Sequence, residues 1–173
     1  LFILGFILAS CEKDDICDPS TPTTPRMVIK FFLMSNPTVP IQIPNLKIVG
    51  DGMDYNDAVL NNQGGQIWND SLAFVPLRVL EDSSRFSFIR TQGDTIRSND
   101  ITDVLDFNYT RRSTYISRAC GFKSTFDLFG NPNSDPFVLN DDEDATAGNW
   151  IKNIEVQQPN INDEDETHVN IYF

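Results

Sequence analysis

The chain has one histidine, three cysteines and thirteen Lys and Arg residues against twenty-five Asp and Glu residues. A Ser-His-Asp triad needs a histidine beside its nucleophile. His168 falls on the polar face of a predicted terminal strand, so we interpret it as a surface residue. Zinc sites need several His or Cys ligands, and no Gly-x-Ser-x-Gly elbow or phosphate-binding glycine loop is present. We therefore predict a protein that is not an enzyme and has no cofactor.

The charge balance is strongly acidic, with a formal net charge of −12 and a sequence pI of about 4.3. Such a surface repels nucleic acid and anionic lipid headgroups, so we predict no nucleic-acid partner. Hydrophobic residues make up 40% and the chain has 13 Phe, which is enough apolar material for a core. A length of 173 residues suits one domain.

The apolar run at residues 1–10 is too short to span a bilayer as a helix. It is typical of the apolar core of a secretory signal peptide, and Leu8-Ala9-Ser10-Cys11 resembles a bacterial lipobox in which Cys11 becomes the acylated first residue. The alternative is a buried N-terminal strand or helix with a chance cysteine. The polar Glu12-Lys13-Asp14-Asp15 follows without a turn or cap signal, which favours the lipobox. Since no Met or basic segment precedes Leu1, we expect that the sequence begins within the signal peptide.

These features predict three regions: a signal peptide at 1–10, a lipidated Pro/Thr-rich tether at 11–25 and one domain at 26–173. Acyl chains would hold Cys11 in a membrane, because each methylene buried in the bilayer adds about 0.8 kcal/mol to the free energy of membrane binding. Lys13, Asp14 and Asp15 resemble the surface-export signal of Bacteroidetes lipoproteins. We expect an outer-membrane protein exposed at the cell surface, with a periplasm-facing protein as the alternative.

Cys17 and Cys120 remain if Cys11 is lipidated, and two cysteines allow one pairing. The compartment beyond the inner membrane is oxidising, so we predict a disulfide between them. It would fix the start of the tether to the folded domain. The alternative is two unrelated buried thiols.

The sequence of the domain predicts β-strands separated by turns, and no segment has apolar residues at the spacing of an amphipathic helix. We predict an all-β antiparallel sandwich, immunoglobulin-like in the broad sense, with a small closed β-barrel as the alternative. The predicted strands are Arg26–Met34, Leu46–Val49, Ser71–Leu77, Arg85–Arg90, Leu105–Tyr109, Thr114–Cys120, Phe122–Leu128, Trp150–Val156 and His168–Phe173.

The connections are predicted from polar and turn-forming residues. Arg111-Arg112-Ser113 is predicted as a turn, and Gly130 to Gly148 as a long polar loop. Asn36-Pro37 and Val39-Pro40 are predicted to end the first strand. Residues 53–69 give no clear pattern.

Two kinds of modification or ligand site have weak support. Asp142 and Asp144 lie in an acidic loop that could bind Ca²⁺, although the loop lacks the EF-hand glycine and a solvated loop is the alternative. Ser71 and Thr95 lie in three-residue stretches, Asp70-Ser71-Leu72 and Asp94-Thr95-Ile96, that resemble an O-glycosylation signal.

The stretches Cys11–Cys17 and Ser117–Lys123 resemble a family of uncharacterised Bacteroidetes envelope lipoproteins that carry a domain of unknown function, and the similarity closes on His168–Phe173. This resemblance implies an envelope lipoprotein with a paired cysteine and transfers no catalytic residues. We predict a non-catalytic binding or accessory module whose partner is an envelope protein or a glycan. The alternatives are a carboxylate-dependent glycan hydrolase and a purely structural outer-membrane component.

Overall fold

A computed structural model describes residues 16–93, 96–140 and 149–173. The described chain forms twelve strands and one turn of 3-10 helix at Arg97–Asn99. The strands are β1 (Met27–Leu33), β2 (Asn36–Pro40), β3 (Leu46–Gly50), β4 (Leu72–Val75), β5 (Ser83–Arg90), β6 (Ile101–Asn108), β7 (Thr110–Ser117), β8 (Gly121–Asp127), β9 (Phe137–Leu139), β10 (Asn153–Val156), β11 (Asn160–Ile161) and β12 (Val169–Tyr172).

The strands form three sheets. The first sheet has the order β10-β12-β1-β2, and β4 pairs with the earlier part of β1 on the same edge as β2. The second sheet has the order β3-β5-β6-β9, and the third, here called the hairpin sheet, has the order β11-β8-β7. No sheet of the described residues closes into a barrel, so the β-sandwich prediction is confirmed and the barrel alternative is excluded.

One hydrophobic core joins the three sheets. Met27, Ile29 and Phe31 of β1 alternate inward and are fully buried, as the period of two along a strand requires. Phe88 of β5 faces them from the second sheet, and Phe126 extends the cluster to the hairpin sheet. Burying a side chain of this size stabilises the folded state by about 1.5–3 kcal/mol relative to leaving it exposed. This core fixes the base of the hairpin sheet against the domain.

The two strands that lie farthest apart in the chain are neighbours in the first sheet. β1 and β12 run parallel, with Ile29 opposite Val169 and Phe32 opposite Tyr172, whereas the other described strand pairs are antiparallel. Val169 and Ile171 are fully buried, as their alternation predicts. The predicted strand at the C-terminal end is therefore a central element of the sheet.

Three short strands lie where the sequence predicts loops or breaks. β2 is fully exposed and carries Pro37 and Pro40, which an edge strand tolerates because it has fewer ladder bonds to lose. β9 lies inside the predicted loop 130–148, and β11 has two residues. These strands are too short to show a period, so tertiary pairing determines them.

The predicted turn at Arg111-Arg112-Ser113 is wrong. These residues lie within β7, and the chain reverses at residues 118–120, with Gly121 at φ 69°. β7 is almost entirely exposed. Because neither face of the strand is buried, its sequence shows no alternation of apolar and polar residues.

Candidate functional site: the tether and the β7–β8 hairpin

The tether is fixed to the hairpin sheet by a disulfide. Cys17 and Cys120 are bonded, with their Cα atoms 4.9 Å apart and a sequence separation of 103. The predicted pairing is confirmed. Cys120 lies in the connection between β7 and β8, where its backbone N–H donates a hydrogen bond to Ser117 Oγ at 3.0 Å. The disulfide therefore joins the tether to the outer end of the hairpin.

Residues 17–25 then follow β8 toward the core. The backbone N–H of Ser124 donates to Thr24 Oγ1 at 2.9 Å, and Pro25 is buried. Arg26 next forms a bidentate pair with Glu164, with Nε–Oε1 and Nη2–Oε2 distances of 2.9 and 2.7 Å. Hydrogen bonding to Arg26 lowers the pKa of Glu164. The tether is thus attached covalently at Cys17 and by a hydrogen bond at Thr24, and an ion pair fixes Arg26, the first residue of the domain.

The outer half of the hairpin extends beyond the core. Phe122, Ser124 and Phe126 alternate along β8, but the Phe122 side chain is 67% exposed, whereas Phe126 is buried. Phe122 lies opposite Tyr115 in the β7–β8 ladder, and the two rings pack edge to face with centroids 5.4 Å apart. Tyr115 is 59% exposed. The alternation of β8 is retained, but the strand continues past the residues that would cover it.

The base of the hairpin is held more firmly than its outer end. The Tyr109 hydroxyl lies 2.6 Å from Ser84 Oγ and donates to the Arg78 carbonyl at 3.0 Å. Arg111 Nε donates to Asp82 at 2.6 Å. Because these contacts precede the outer half of β7, they fix the direction of the hairpin and leave Tyr115 exposed.

Residues 45–173 match the model of a family of unknown function, DUF6452. The chain belongs to this family. No curated protein and no solved structure matches the chain. The family match includes Cys120, the stretch Ser117–Lys123 and β12, and it begins after the Cys11–Cys17 stretch. Membership in DUF6452 therefore leaves the lipoprotein assignment a prediction.

The prediction that His168 is a surface residue is wrong. His168 is 1% exposed, and its Nδ1 accepts a hydrogen bond from the backbone N–H of Val28 at 2.9 Å. Burial lowers the pKa of His168, against the opposing effect of the nearby Asp163, Glu166 and Glu164 carboxylates. Pattern alone assigned this residue to the polar face. Its ring is bonded to the backbone of β1, the strand with which β12 pairs.

The buried Asp103 carboxylate binds Asn140 and Ile151, which lie on either side of residues 141–148 in the sequence. Asp103 Oδ1 accepts from Asn140 Nδ2 at 2.8 Å, and Oδ2 accepts from the backbone N–H of Ile151 at 2.7 Å. Asn140 has a φ of 54°, and its Oδ1 accepts from the N–H of Val104 at 2.7 Å. Sequence reasoning missed this site. Continuing the alternation of Leu105 and Phe107 back by two residues would have placed Asp103 on the core face.

A second polar cluster covers the outer face of the second sheet. Lys47 is buried, donates through Nζ to the Tyr55 carbonyl at 3.0 Å and lies 3.8 Å from the Tyr55 ring centroid. The Arg97 guanidinium lies 4.1 Å from the same ring. Burial and the charge of Arg97 lower the pKa of Lys47. The Tyr55 hydroxyl donates to Asp100 at 3.1 Å, so both ends of this ring are fixed.

Of the remaining predicted site residues, the structure describes only Ser71. Ser71 is half-buried beside the start of β4, its carbonyl accepts from the Phe31 N–H at 3.0 Å, and its own N–H donates to Asp70 at 2.6 Å. The other predicted site residues lie outside the described residues: Cys11, Lys13, Asp14, Asp15, Thr95, Asp142 and Asp144.

The described residues contain neither a cluster of metal ligands nor a helix that could span a membrane. Among residues 16–93, 96–140 and 149–173, no three His, Cys, Asp or Glu side chains come close enough together to hold a metal ion. Over the same ranges, no helix has the length and hydropathy needed to cross a membrane.

Proposed function

We propose that the chain is an exported, lipid-anchored cell-envelope protein whose β-sandwich serves as a non-catalytic binding or accessory module. The Cys17–Cys120 disulfide is the observation that carries this proposal. Disulfides persist in oxidising compartments outside the cytoplasm and are rare inside it. This disulfide is also close in the sequence to the predicted acylation site, since five residues separate Cys11 from Cys17.

Acylation of Cys11 supplies the anchor in this proposal, and Lys13, Asp14 and Asp15 direct the protein to the surface of the outer membrane. The Leu8-Ala9-Ser10-Cys11 sequence supports acylation. Several acyl chains together make such anchoring stable, since one chain gives only reversible binding.

A non-catalytic role is supported by what the buried chemical groups contact. His168 accepts its hydrogen bond from the Val28 backbone, and Asp103 accepts from Asn140 and the Ile151 backbone. General acid or base catalysis needs a group within hydrogen-bond reach of a substrate proton. These two groups bond the protein's own chain, so we assign them structural roles.

The test of anchoring is the mass of the N-terminal peptide from protein extracted from membranes with detergent. The expected peptide begins at Cys11 and carries acyl chains. Cys11→Ala should remove this mass and shift the protein out of the detergent phase. The matched control is the pair Cys17→Ser and Cys120→Ser, which keeps Cys11 and should keep the acyl mass. An unmodified Cys11 in the wild-type protein would contradict the proposal.

The test of surface exposure is protease treatment of intact cells, with a periplasmic protein as an internal control. Digestion of this protein while the control survives supports the export signal, and replacing Lys13, Asp14 and Asp15 with Ala should then protect it. Survival until the outer membrane is opened would place the protein on the periplasmic side and overturn the export signal. A glycan hydrolase is distinguished by release of reducing sugar from envelope glycans.

A further inference from the structure

The outer end of the β7–β8 hairpin exposes apolar side chains that are close together. We call residues 115–122 the hairpin tip. Tyr115 and Phe122 pack edge to face within it, and Ile116 is also exposed. Ile16, one residue before the disulfide, is 81% exposed. Isolated exposed apolar residues are ordinary, but exposed aromatic rings that pack against each other, as Tyr115 and Phe122 do, are typical of an interaction surface.

The charge of the hairpin is opposite to that of the chain. Residues 110–123 contain Arg111, Arg112, Arg118 and Lys123 and no Asp or Glu, whereas the whole chain has a net charge of −12. Arg111 is paired with Asp82 at the hairpin base. Arg112 and Arg118 are exposed, and Arg118 lies in the tip itself. The hairpin itself is therefore basic, whereas the tether bonded to it carries Glu12, Asp14, Asp15 and Asp18.

The disulfide also places the tip near the proposed anchor. Cys17 lies six positions after Cys11, and a fully extended chain of that length spans at most about 22 Å. Cys17 is bonded to Cys120 within the tip, with a Cα–Cα distance of 4.9 Å. An acylated Cys11 would thus hold the tip near the bilayer.

We infer that the hairpin tip contacts the bilayer, with Tyr115, Ile116 and Phe122 at the headgroup level and Arg112 and Arg118 against anionic headgroups. This inference rests on the proposed anchoring through Cys11. Aromatic rings are favoured at membrane interfaces because one end is apolar and the other polar. Basic residues near an anionic leaflet add to the attraction. The apolar tip, its positive charge and its distance from the anchor all point to lipid as the occupant of this surface.

The contact gives the anchored domain a fixed orientation. A single flexible attachment lets a domain rotate freely, whereas the anchor and the hairpin tip together provide two points. The rigid base of the hairpin, held by Tyr109 and Ser84, transmits that orientation to the sandwich. The β1–β2 end of the first sheet then faces away from the bilayer.

The test uses the membrane-extracted protein reconstituted in vesicles of phosphatidylethanolamine and phosphatidylglycerol. Phe122→Trp places a fluorescent side chain at the tip, and brominated lipids quench only fluorophores that touch the bilayer. Met34→Trp is the matched control, because Met34 is 52% exposed and follows the end of β1 farthest from the tether. The emission of Trp68 and Trp150, both buried, is subtracted using the wild-type protein.

The expected result is that Phe122→Trp loses most of its added emission with brominated lipid and Met34→Trp loses none. The double substitution of Arg112 and Arg118 with Gln, added to Phe122→Trp, should weaken the contact about thirtyfold, since each cation contributes about 1 kcal/mol near an anionic surface. Added salt or replacement of phosphatidylglycerol with phosphatidylcholine should act in the same direction. Circular dichroism checks that each variant is folded.

The opposing outcomes are distinct. Equal quenching at both positions, or none at Phe122→Trp while the protein carries its acyl chains, overturns the lipid contact and leaves the anchor intact. A Trp at position 122 that is shielded from a soluble quencher but not quenched by lipid also overturns it and assigns the tip to a protein partner. A protein that carries no acyl chain overturns both the anchor and this inference.

Discussion

Val28 and His168 bond each other twice: the Val28 N–H donates to His168 Nδ1, and the His168 N–H donates to the Val28 carbonyl, both at 2.9 Å. The first bond continues the parallel β1–β12 ladder by means of a side chain. We expect His168→Leu to lower the free energy of unfolding by about 1–3 kcal/mol, because a buried N–H loses its acceptor. Urea denaturation measures the loss. The control is Asn170→Ala on the same strand, and equal losses for both variants would contradict the assignment.

The pKa of His168 should make the stability of the protein depend on pH. Burial lowers this pKa below its ordinary value of 6.5, so below that pH the unfolded chain binds a proton that the folded protein does not. The free energy of unfolding therefore falls as pH decreases from 7.5 toward the folded pKa, by at most about 1.4 kcal/mol per pH unit. Denaturation at several pH values between 5.5 and 7.5 tests this. His168→Gln should flatten the dependence, and an unchanged slope would refute it.

The disulfide should contribute a large part of the stability. In the chain-entropy model, a loop of 100 residues constrains the unfolded state by about 4.7 kcal/mol. We expect Cys17→Ser with Cys120→Ser to lower the free energy of unfolding by about 2–5 kcal/mol. A reducing agent should lower the stability of the wild-type protein to the level of this variant and leave the variant unaffected. Equal stability of oxidised and reduced wild-type protein would contradict the prediction.

Asp103 should contribute more to the free energy of unfolding than Asp106, a partly exposed carboxylate on the same strand. Asp103→Ala leaves the Ile151 N–H and the Asn140 amide without their acceptor, and we expect a loss of about 2–4 kcal/mol. Asp106→Ala is the control, because Asp106 is partly exposed and its pair with Arg85 is 3.6 Å long, for which we expect a loss of less than about 1 kcal/mol. Denaturation measures both, and hydrogen exchange at the Val104 and Ile151 amides localises the effect. Similar losses in both variants would count against the proposed role.

Gly130 is required by the close approach of Thr110 at the hairpin base. A Cβ atom at position 130 would overlap the Thr110 side chain, so Gly130→Ala should destabilise the protein by about 1–3 kcal/mol. Replacing Thr110 with Gly in the same chain should recover part of the loss. Gly50→Ala is the control, since its nearest neighbour is the flexible end of Met53, 3.2 Å away. The prediction fails if the two alanine variants have the same melting temperature.

The sequence predicts the core strands that have a clear apolar period and misses β2, β9 and β11, although Ile161 of β11 is fully buried and Phe137 and Leu139 of β9 pack against the core. Phe86 and Phe88, like Leu105 and Phe107, alternate because one face of each strand is buried, and both strands form where expected. β2 and β9 have no such signal. Arg111–Ser113 was misread as a turn because charged residues on an exposed strand resemble those of a loop.

The candidate site was only partly predictable, because the exposure of its side chains depends on tertiary packing as well as on local sequence. The sequence predicts the Cys17–Cys120 disulfide that the structure shows, because two cysteines allow one pairing if Cys11 is acylated. The position of the hairpin relative to the core is a tertiary property, and it decides that Phe122 is exposed while Phe126 is buried. The burial of His168 likewise depends on β12 pairing with β1, a contact across 140 residues that no local pattern encodes.

The parallel pairing of β1 with β12 also bears on when the domain can fold. β1 has β12 along one edge and β4 and β2 along the other, so the first sheet cannot close until Val169–Tyr172 has been synthesised. Pairings across such long sequence separations form slowly. The first sheet of a chain emerging from the ribosome would therefore stay incomplete until β12 has been made. That delay is compatible with the export proposed above, in which the chain would cross a translocation channel before it folds.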